Sequence, residues 1–213
     1  MPDKQSRGEV RNSKLQKVAA DLFLKRGYEG VTIDSIVELA GGSKSTVYAE
    51  FGGKCGLFIS SIENLCREAN RPLETIDYTG LNLEASLKKL SFEILKLITA
   101  KRSVELHRLA IGEALNCPEV GEAWYTHGPA KTVSYIRSLL ESRREELRKT
   151  KTPIDRIAVI LHDSLTGDIL YRRLAGVGKH ESDAELKQFA CAAVDLILGP
   201  MLVRPDGSQR RLG

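Results

Sequence analysis

No pair of cysteines in this chain is spaced to hold a metal. The four cysteines, Cys55, Cys66, Cys117 and Cys191, are scattered and form no CxxC. A zinc site of familiar spacing is therefore not expected, and isolated cysteines inside helical patterns read as small hydrophobes. No apolar run approaches the ~18 residues of a membrane span, and the polar start does not read as a signal peptide. The expected address is the cytoplasm, with no membrane partner. Aromatics are few, at 6%. No low-complexity segment or short internal repeat stands out. No stretch alternates apolar and polar residues as a half-buried strand would.

The rest of the composition is globular. Of 213 residues, 42% are hydrophobic and 28% charged, and the net charge is +4. A chain of this length buries enough apolar surface to fold without staples. So small a charge permits a polyanionic partner but does not require one. The front is more basic: Lys4, Arg7, Arg11, Lys14 and Lys17 face only Asp3 and Glu9. Such an arm is either a solvated tail or an electrostatic foot for nucleic acid.

Apolar spacing near 3.6 residues dominates. Leu15, Val18, Ala19, Leu22 and Phe23 mark one helix face, stopped at Gly27. Thr32 reads as the N-cap of a second helix with Asp34 in its first turn. Gly41-Gly42 ends it, and Ser43 caps a third that closes at Phe51-Gly52-Gly53. Longer helices are expected over about 54–70, around Leu83–Ile98, over 102–115, over 120–148 with an irregularity near Gly128-Pro129, from Pro153 to about 174, and over 184–198. Arg71-Pro72 marks an end because the residue before proline disfavours helix. The residues from Pro200 read as frayed. The expected fold is all-α: three short helices over residues 1–53, with the basic arm, and a larger helical domain over residues 54–213.

Two short helices joined by a glycine turn, behind an amphipathic helix, suit a helix-turn-helix unit. In that unit the second helix puts its first turn against base edges in the major groove. Here that turn is Ser43-Lys44-Ser45-Thr46: small hydroxyls that allow close approach and a lysine that reaches guanine or phosphate. Tyr48 and Lys54 stand where a hydroxyl and a cation would meet the sugar–phosphate backbone. A bland helical hairpin with a serine cap shows the same local pattern.

The stretch ADLFLKRGYEGVTIDSIVELAGGSKSTVYAEFGGKCGLF, Ala20 to Phe58, decides between them by resemblance. Leu22-Phe23, Gly27-Tyr28, Thr32, Ile36, Ala40-Gly41, Ser43-Lys44, Thr46, Tyr48, Phe51, Lys54 and Leu57-Phe58 fall in one register with the DNA-binding domain of the TetR family of transcriptional regulators. Three positions depart: Gly42 stands where an apolar residue, commonly valine, is usual; Val37 where alanine is frequent; Cys55 where glutamate is frequent. The resemblance implies that Thr32, Lys44, Thr46, Tyr48 and Lys54 meet DNA; the reading of the helix start adds Ser43 and Ser45. The resemblance also implies that Phe23, Ile36, Val47 and Phe51 hold the three helices together. A shorter stretch, Leu106 to Pro129, resembles the AefR-like branch, which would make Glu113, Pro118 and Glu119 structural signposts.

The family usually dimerises through its last two long helices and encloses a ligand among the others. The implied partners are a double-stranded DNA operator, a second copy of the chain and a small apolar or amphipathic ligand, with no cofactor. The stripes Ile157, Leu161, Leu165, Ile169 and Leu186, Phe189, Ala190, Ala193, Ile197 are taken as the dimer faces, with the monomer core as the other reading. Polar groups on apolar helices, His107, Asn116, His127, His162 and Thr166, and the ring of Trp124, are the candidates for effector contact. Each alone reads first as a satisfied, packed or exposed side chain. His162 and Asp163, being adjacent, are expected to point apart.

An enzyme is the rival class. GGSKST ends like a phosphate-binding P-loop, but that motif needs glycine at 43 and 38, where Ser43 and Glu38 stand. Nothing groups a catalytic set. A helical protein-binding adaptor is the third reading; steep salt dependence and sequence preference in DNA binding would separate a regulator from it.

Overall fold

The computed structural model describes residues 7–148 and 150–202, apart from the side chains of Arg7 and Glu9. Lys4 and the side chain of Arg7, from the expected basic arm, lie outside that set, and so does the tail from residue 203. Arg11, Lys14 and Lys17 are exposed along the first helix.

The described residues form ten α-helices in order: α1 Arg7–Arg26, α2 Ile33–Ala40, α3 Lys44–Phe51, α4 Lys54–Glu74, α5 Leu83–Thr99, α6 Lys101–Glu113, α7 Pro118–His127, α8 Pro129–Ser142, α9 Ile154–Ala175 and α10 Asp183–Leu198. The described residues contain no β-strand, only an isolated bridge between Leu147 and Leu202. The all-α expectation therefore holds.

Three boundaries differ from the sequence reading. The long seventh helix is two helices. The Gly128 N–H closes α7 on the Trp124 carbonyl at 2.8 Å. Pro129, which has no N–H to give to a preceding turn, opens α8. The fourth helix runs through Arg71-Pro72 to Glu74. The proline stands in the last turn, where losing one N–H ends little. The segment after Leu198 is ordered as far as Leu202. A short 3₁₀ turn spans Gly199–Met201, and the Arg148 N–H donates to the Met201 carbonyl at 2.7 Å.

The chain divides into two compact units. One takes the residues up to Ala69 together with Glu105–Gly128; the other takes Asn70–Val104 and the residues from Pro129 on. These packing units are drawn differently from the division at residue 53. Leu57, Phe58, Ile62 and Leu65 of α4, Leu106 and Ala110 of α6, and Val120 of α7 share one core with α1–α3. Apolar contact, rather than the glycine punctuation, sets the edge of a compact unit.

In the first unit Phe23, Tyr28 and Phe58 form a ring cluster, with Phe23 and Phe58 centroids 4.7 Å apart and Tyr28 and Phe58 centroids 4.8 Å apart. The second unit is a helical bundle in which α10 packs on α5 and α9, and α8 packs on α9. Its core includes Leu87, Leu90, Ile94, Ile136, Leu140, Ile157, Leu161, Leu165, Leu186, Ala190 and Val194. Ile157, Leu161, Leu165, Ile169, Leu186 and Ala190, taken in the sequence as dimer faces, are thus buried within the chain itself. Periodicity marks an apolar face but not what covers it.

The faces left uncovered share only Phe189 with those stripes. On α10, Phe189, Ala192 and Leu196 are exposed at i, i+3 and i+7, Leu196 to 72%. On α9, Ile160 and Tyr171 are exposed, with Ser164 and Gly167 between them on the same stripe.

Candidate nucleic-acid interface

Local sequence builds the interface from α2 outward. The Thr32 hydroxyl accepts the Ser35 N–H at 3.2 Å, and the Ser35 hydroxyl accepts the Thr32 N–H at 3.3 Å, a reciprocal cap on α2. Ile36 and Ala40 bury the inner face of α2. Val37 is half-buried against the same core, so the larger side chain at this position is accommodated.

The helix then stops on two consecutive glycines in positive φ, Gly41 at 74° and Gly42 at 118°. The second value explains the departure from the usual valine. No atom within 4 Å would oppose a Cβ at Gly42, so it is the backbone conformation that selects glycine here.

Ser43 caps α3, accepting the Thr46 N–H at 3.2 Å. Its hydroxyl also lies 2.7 Å from that of Ser45 and 3.0 Å from that of Thr46. The three hydroxyls form one ordered cluster at the helix start. Ser43, Lys44 and Ser45 are exposed and Thr46 is half-buried. Only Val47, at 0% exposure, is buried on this helix, with Phe51 partly buried beside it. The sequence reading of Phe23, Ile36, Val47 and Phe51 as the supports of α3 agrees with this packing. Asn12 of α1 adds a hydrogen bond to Glu50 at 2.7 Å.

Lys44 is not idle. Its ammonium lies 2.7 Å from Asp34 of α2, both side chains largely exposed. The hydrogen bond to Asp34 pushes the Lys44 ammonium above its ordinary value, so it stays charged throughout the physiological range. Sequence reasoning missed this partnership: it read Asp34 only as a favourable charge in the first turn of α2. An exposed pair of this kind contributes little stability. It holds Lys44 over the start of α3, and an incoming phosphate or base must displace or share that contact.

Tyr48 is 60% exposed. A Cβ at Gly53 would lie 3.3 Å from its ring, which shows how closely the ring lies along the α3–α4 turn. Lys54, the first residue of α4, sits with its ammonium 4.1 Å from the centroid of the Tyr28 ring. The seven candidate DNA residues thus all belong to the first unit, on α2, α3 and the start of α4, with Thr32, Ser43, Lys44, Ser45 and Tyr48 exposed and Thr46 and Lys54 half-buried.

The candidate effector residues are divided between the two units. His107 and Trp124 meet edge to face, centroids 5.2 Å apart, in the first unit. His127 lies 3.9 Å from Glu63 in that unit, and Asn116 is exposed in the α6–α7 turn, its amide reaching Glu113 at 3.4 Å. His162 and Thr166 are buried in α9 of the second unit, the Thr166 hydroxyl donating to the His162 carbonyl at 3.0 Å. Burial holds the His162 imidazole below its ordinary value, against an opposing pull from Asp163. The expectation that His162 and Asp163 point apart fails: His162 Nδ1 lies 3.2 Å from Asp163 Oδ1. This nitrogen is close enough to the backbone for a short neighbouring carboxylate to bend back to it.

The α6–α7 turn gives the AefR-like signposts a structural meaning. The Glu113 carbonyl accepts the N–H groups of Asn116 at 3.0 Å and Cys117 at 2.8 Å. Pro118 begins α7 and Glu119 stands in its first turn.

Comparison with known proteins agrees with this geometry. Residues 15–60 match the family model of bacterial regulatory proteins of the tetR family. Residues 85–199, more than half of the chain, match that of the AefR-like transcriptional repressor carboxy-terminal domain. A DNA-binding transcriptional repressor, TetR, of Mycobacteroides abscessus is 30% identical over 79 residues, covering 37% of this chain and 40% of that protein. The chain therefore spans well under half of this curated relative. Among solved structures, a protein of Mesorhizobium loti described as a TetR-family regulator superposes with a TM-score of 0.75 at 23% identity, covering 93% of this chain and 100% of its own. The flavonoid-responsive regulator FrrA superposes with a TM-score of 0.76 at 24% identity, covering 92% and 98%. These two show the fold. Regulators of this family bind DNA and act as dimers, and none of the described helices is long and apolar enough to cross a membrane. The chain belongs to the TetR family of transcriptional regulators, a family of transcription factors and not of enzymes, and carries the AefR-like carboxy-terminal domain.

Proposed function

We propose that the protein is a cytoplasmic, ligand-released repressor that binds a palindromic double-stranded operator as a homodimer. Residues 1–53 carry the reading head, and residues 54–213 carry effector binding and dimerisation. The observation behind this reading is the start of α3: an ordered, exposed group of Ser43, Lys44 and Ser45 on a short helix anchored by Val47. Small hydroxyls and one cation at a helix start suit the floor and wall of the major groove. Free N–H groups at the same end suit phosphate.

In this reading Ser43, Lys44, Ser45 and Thr46 enter the groove, while Thr32, Tyr48 and Lys54 clamp phosphates on either side. Two copies place α3 in successive grooves, roughly 34–36 Å apart. The exposed apolar stripes of α9 and α10 supply the surface between copies. Gly167, Ser164 and Ala192 keep those stripes low enough for helices to approach closely. A small apolar or amphipathic ligand favours a conformer whose reading heads miss that spacing. A near-complete switch needs a preference of about 10⁴ between conformers. His107, Asn116, Trp124, His127, His162 and Thr166 remain the candidate contacts. The description of FrrA as flavonoid-responsive supports ligand control as a theme of this architecture.

Binding of genomic DNA fragments by the Lys44→Ala variant tests the reading. The expected loss is about 1–3 kcal/mol at an unchanged melting temperature if Lys44 reads a base; a phosphate contact instead lowers the salt slope by about one. Unchanged affinity at every salt level would remove Lys44 from the interface.

A further inference from the structure

Cys55 and Cys117 lie 62 residues apart in sequence, yet their Sγ atoms are 3.1 Å apart within the first unit. None of the four cysteines is in a disulfide. Cys55 is exposed, in the first turn of α4; Cys117 is buried, at the start of α7. One thiol is thus open to a soluble oxidant and the other is held behind it. Of the other two, Cys66 is buried with its thiol pushed up to about 12 by desolvation, and Cys191 lies on α10 of the second unit.

We propose that Cys55 and Cys117 are a peroxide-reactive dithiol that closes to a reversible disulfide and thereby weakens the reading head's hold on DNA. Its effect on DNA rests on the function proposed above; the cysteine chemistry does not. Two balanced steps suffice. The Cys55 thiol first gives its proton to solvent; the thiolate attacks one oxygen of hydrogen peroxide, the O–O bond breaks, Cys55 becomes a sulfenic acid, and the departing hydroxide takes a proton back from solvent to leave as water. The Cys117 sulfur then attacks Cys55 Sγ, the S–O bond breaks, and a second water departs as the S–S bond forms. Both thiols are oxidised and one peroxide is reduced.

Cys117 must lose a proton to act. Burial and its contacts with Cys55 and Glu119 push its thiol up to about 11. The Glu119 carboxylate, 3.6 Å from Cys117 Sγ, is placed to receive that proton. In a reducing compartment such a bond is transient, as befits a signal rather than a staple.

The coupling to DNA is mechanical. A disulfide needs the sulfurs at about 2.05 Å, so closure brings the two Sγ atoms together by roughly 1 Å, and whatever part of that side-chain rotation does not supply falls on the first turn of α4 and the α6–α7 turn. Lys54, the candidate phosphate clamp over Tyr28, is the residue next to Cys55. Gly52-Gly53, along which Tyr48 lies, immediately precede it. The shift therefore reaches two of the candidate DNA contacts directly.

The test treats the reduced full-length protein with graded hydrogen peroxide. Mass spectrometry is expected to find the chain lighter by two hydrogens, with a Cys55–Cys117 cross-linked peptide that dithiothreitol removes. Affinity for genomic fragments selected by the reduced protein is expected to fall about tenfold, the size of a lost charged hydrogen bond, and to recover on reduction. Cys55→Ser, at an exposed position, is expected to abolish the cross-link and the fall even if Cys117→Ser proves too unstable to use. Further oxidation of Cys55 with no cross-link, a cross-link through Cys66 or Cys191, or a disulfide that leaves affinity unchanged overturns the proposal. If the reduced protein selects no DNA, the functional reading fails, the coupling falls with it, and the cross-link map alone decides the dithiol.

Discussion

The outer side of α3 and the outer side of α10 are both exposed, and they differ in kind. Helix α3 with its cap Ser43 presents two serines, a lysine and a tyrosine, with Val47 its one buried side chain. Helix α10 buries Leu186, Ala190, Val194 and Leu198, and still presents Phe189 and Leu196 outward. Hydroxyls and a cation in water cost nothing and await an anion. Bare aliphatic and aromatic side chains in one stripe gain from being covered. The contrast separates a surface suited to a polyanion from a surface suited to another helix.

Four substitutions or conditions test that contrast. Leu196→Arg gives α10 the chemistry of α3. The expected outcome is a folded monomer in sedimentation, with DNA affinity lower by about 10²–10⁴ because two heads no longer bind together. Gly42→Val keeps the chemistry of α3 but disturbs its support, and is expected to cost about 1–3 kcal/mol in urea unfolding. Since no atom lies within 4 Å of a new Cβ, alanine at the same position should cost nearly as much. Tyr48→Phe makes the face of α3 more apolar, and should lose about 1 kcal/mol of DNA affinity if the hydroxyl bonds phosphate. Full retention would leave the ring as a packing element.

The smallest effect is expected from His162, a polar group inside the more apolar unit. Its folded value is depressed by burial, so the unfolded chain binds the proton first as pH falls. The resulting stability is present above the unfolded value of about 6.5 and is lost as pH drops through it toward the folded value. Urea midpoints should fall between about pH 7.5 and pH 5, and fall less in His162→Gln. An identical decline in both proteins would show that other groups carry the pH dependence.

Much of the reading head was legible because short-range chemistry builds it. A serine or threonine before an apolar period caps a helix, and paired glycines stop one, whatever lies beyond. Thr32, Ser43, Gly41-Gly42 and the buried Val47 were accessible on those grounds. The Lys44–Asp34 pair was not, since nothing in spacing alone brings α2 and α3 into the geometry that joins them. The second unit was legible as helices but not as surfaces. Apart from the exposed Phe189, the periodic residues of α9 and α10 lie in the chain's own core or partly buried against it, and the exposed stripes are interrupted by Ser164, Gly167 and Ala192, which weakens their apolar signal. The break at Gly128-Pro129 was visible as an irregularity, but whether a helix bends or ends there depends on what caps it. The Cys55–Cys117 contact spans too much chain for any local rule to find.

Because α3 hangs from Val47, the partly buried Phe51 and a pair of glycines, most of its positions are free of structural duty. Residues facing outward from such a support are replaceable: exchanging Lys44, Ser45 or Ala49 changes what the helix meets without disturbing the hydrophobic anchor beneath it. A lineage that keeps Gly41, Gly42 and Val47 can acquire new operators one side chain at a time, while its pairing surface stays the same.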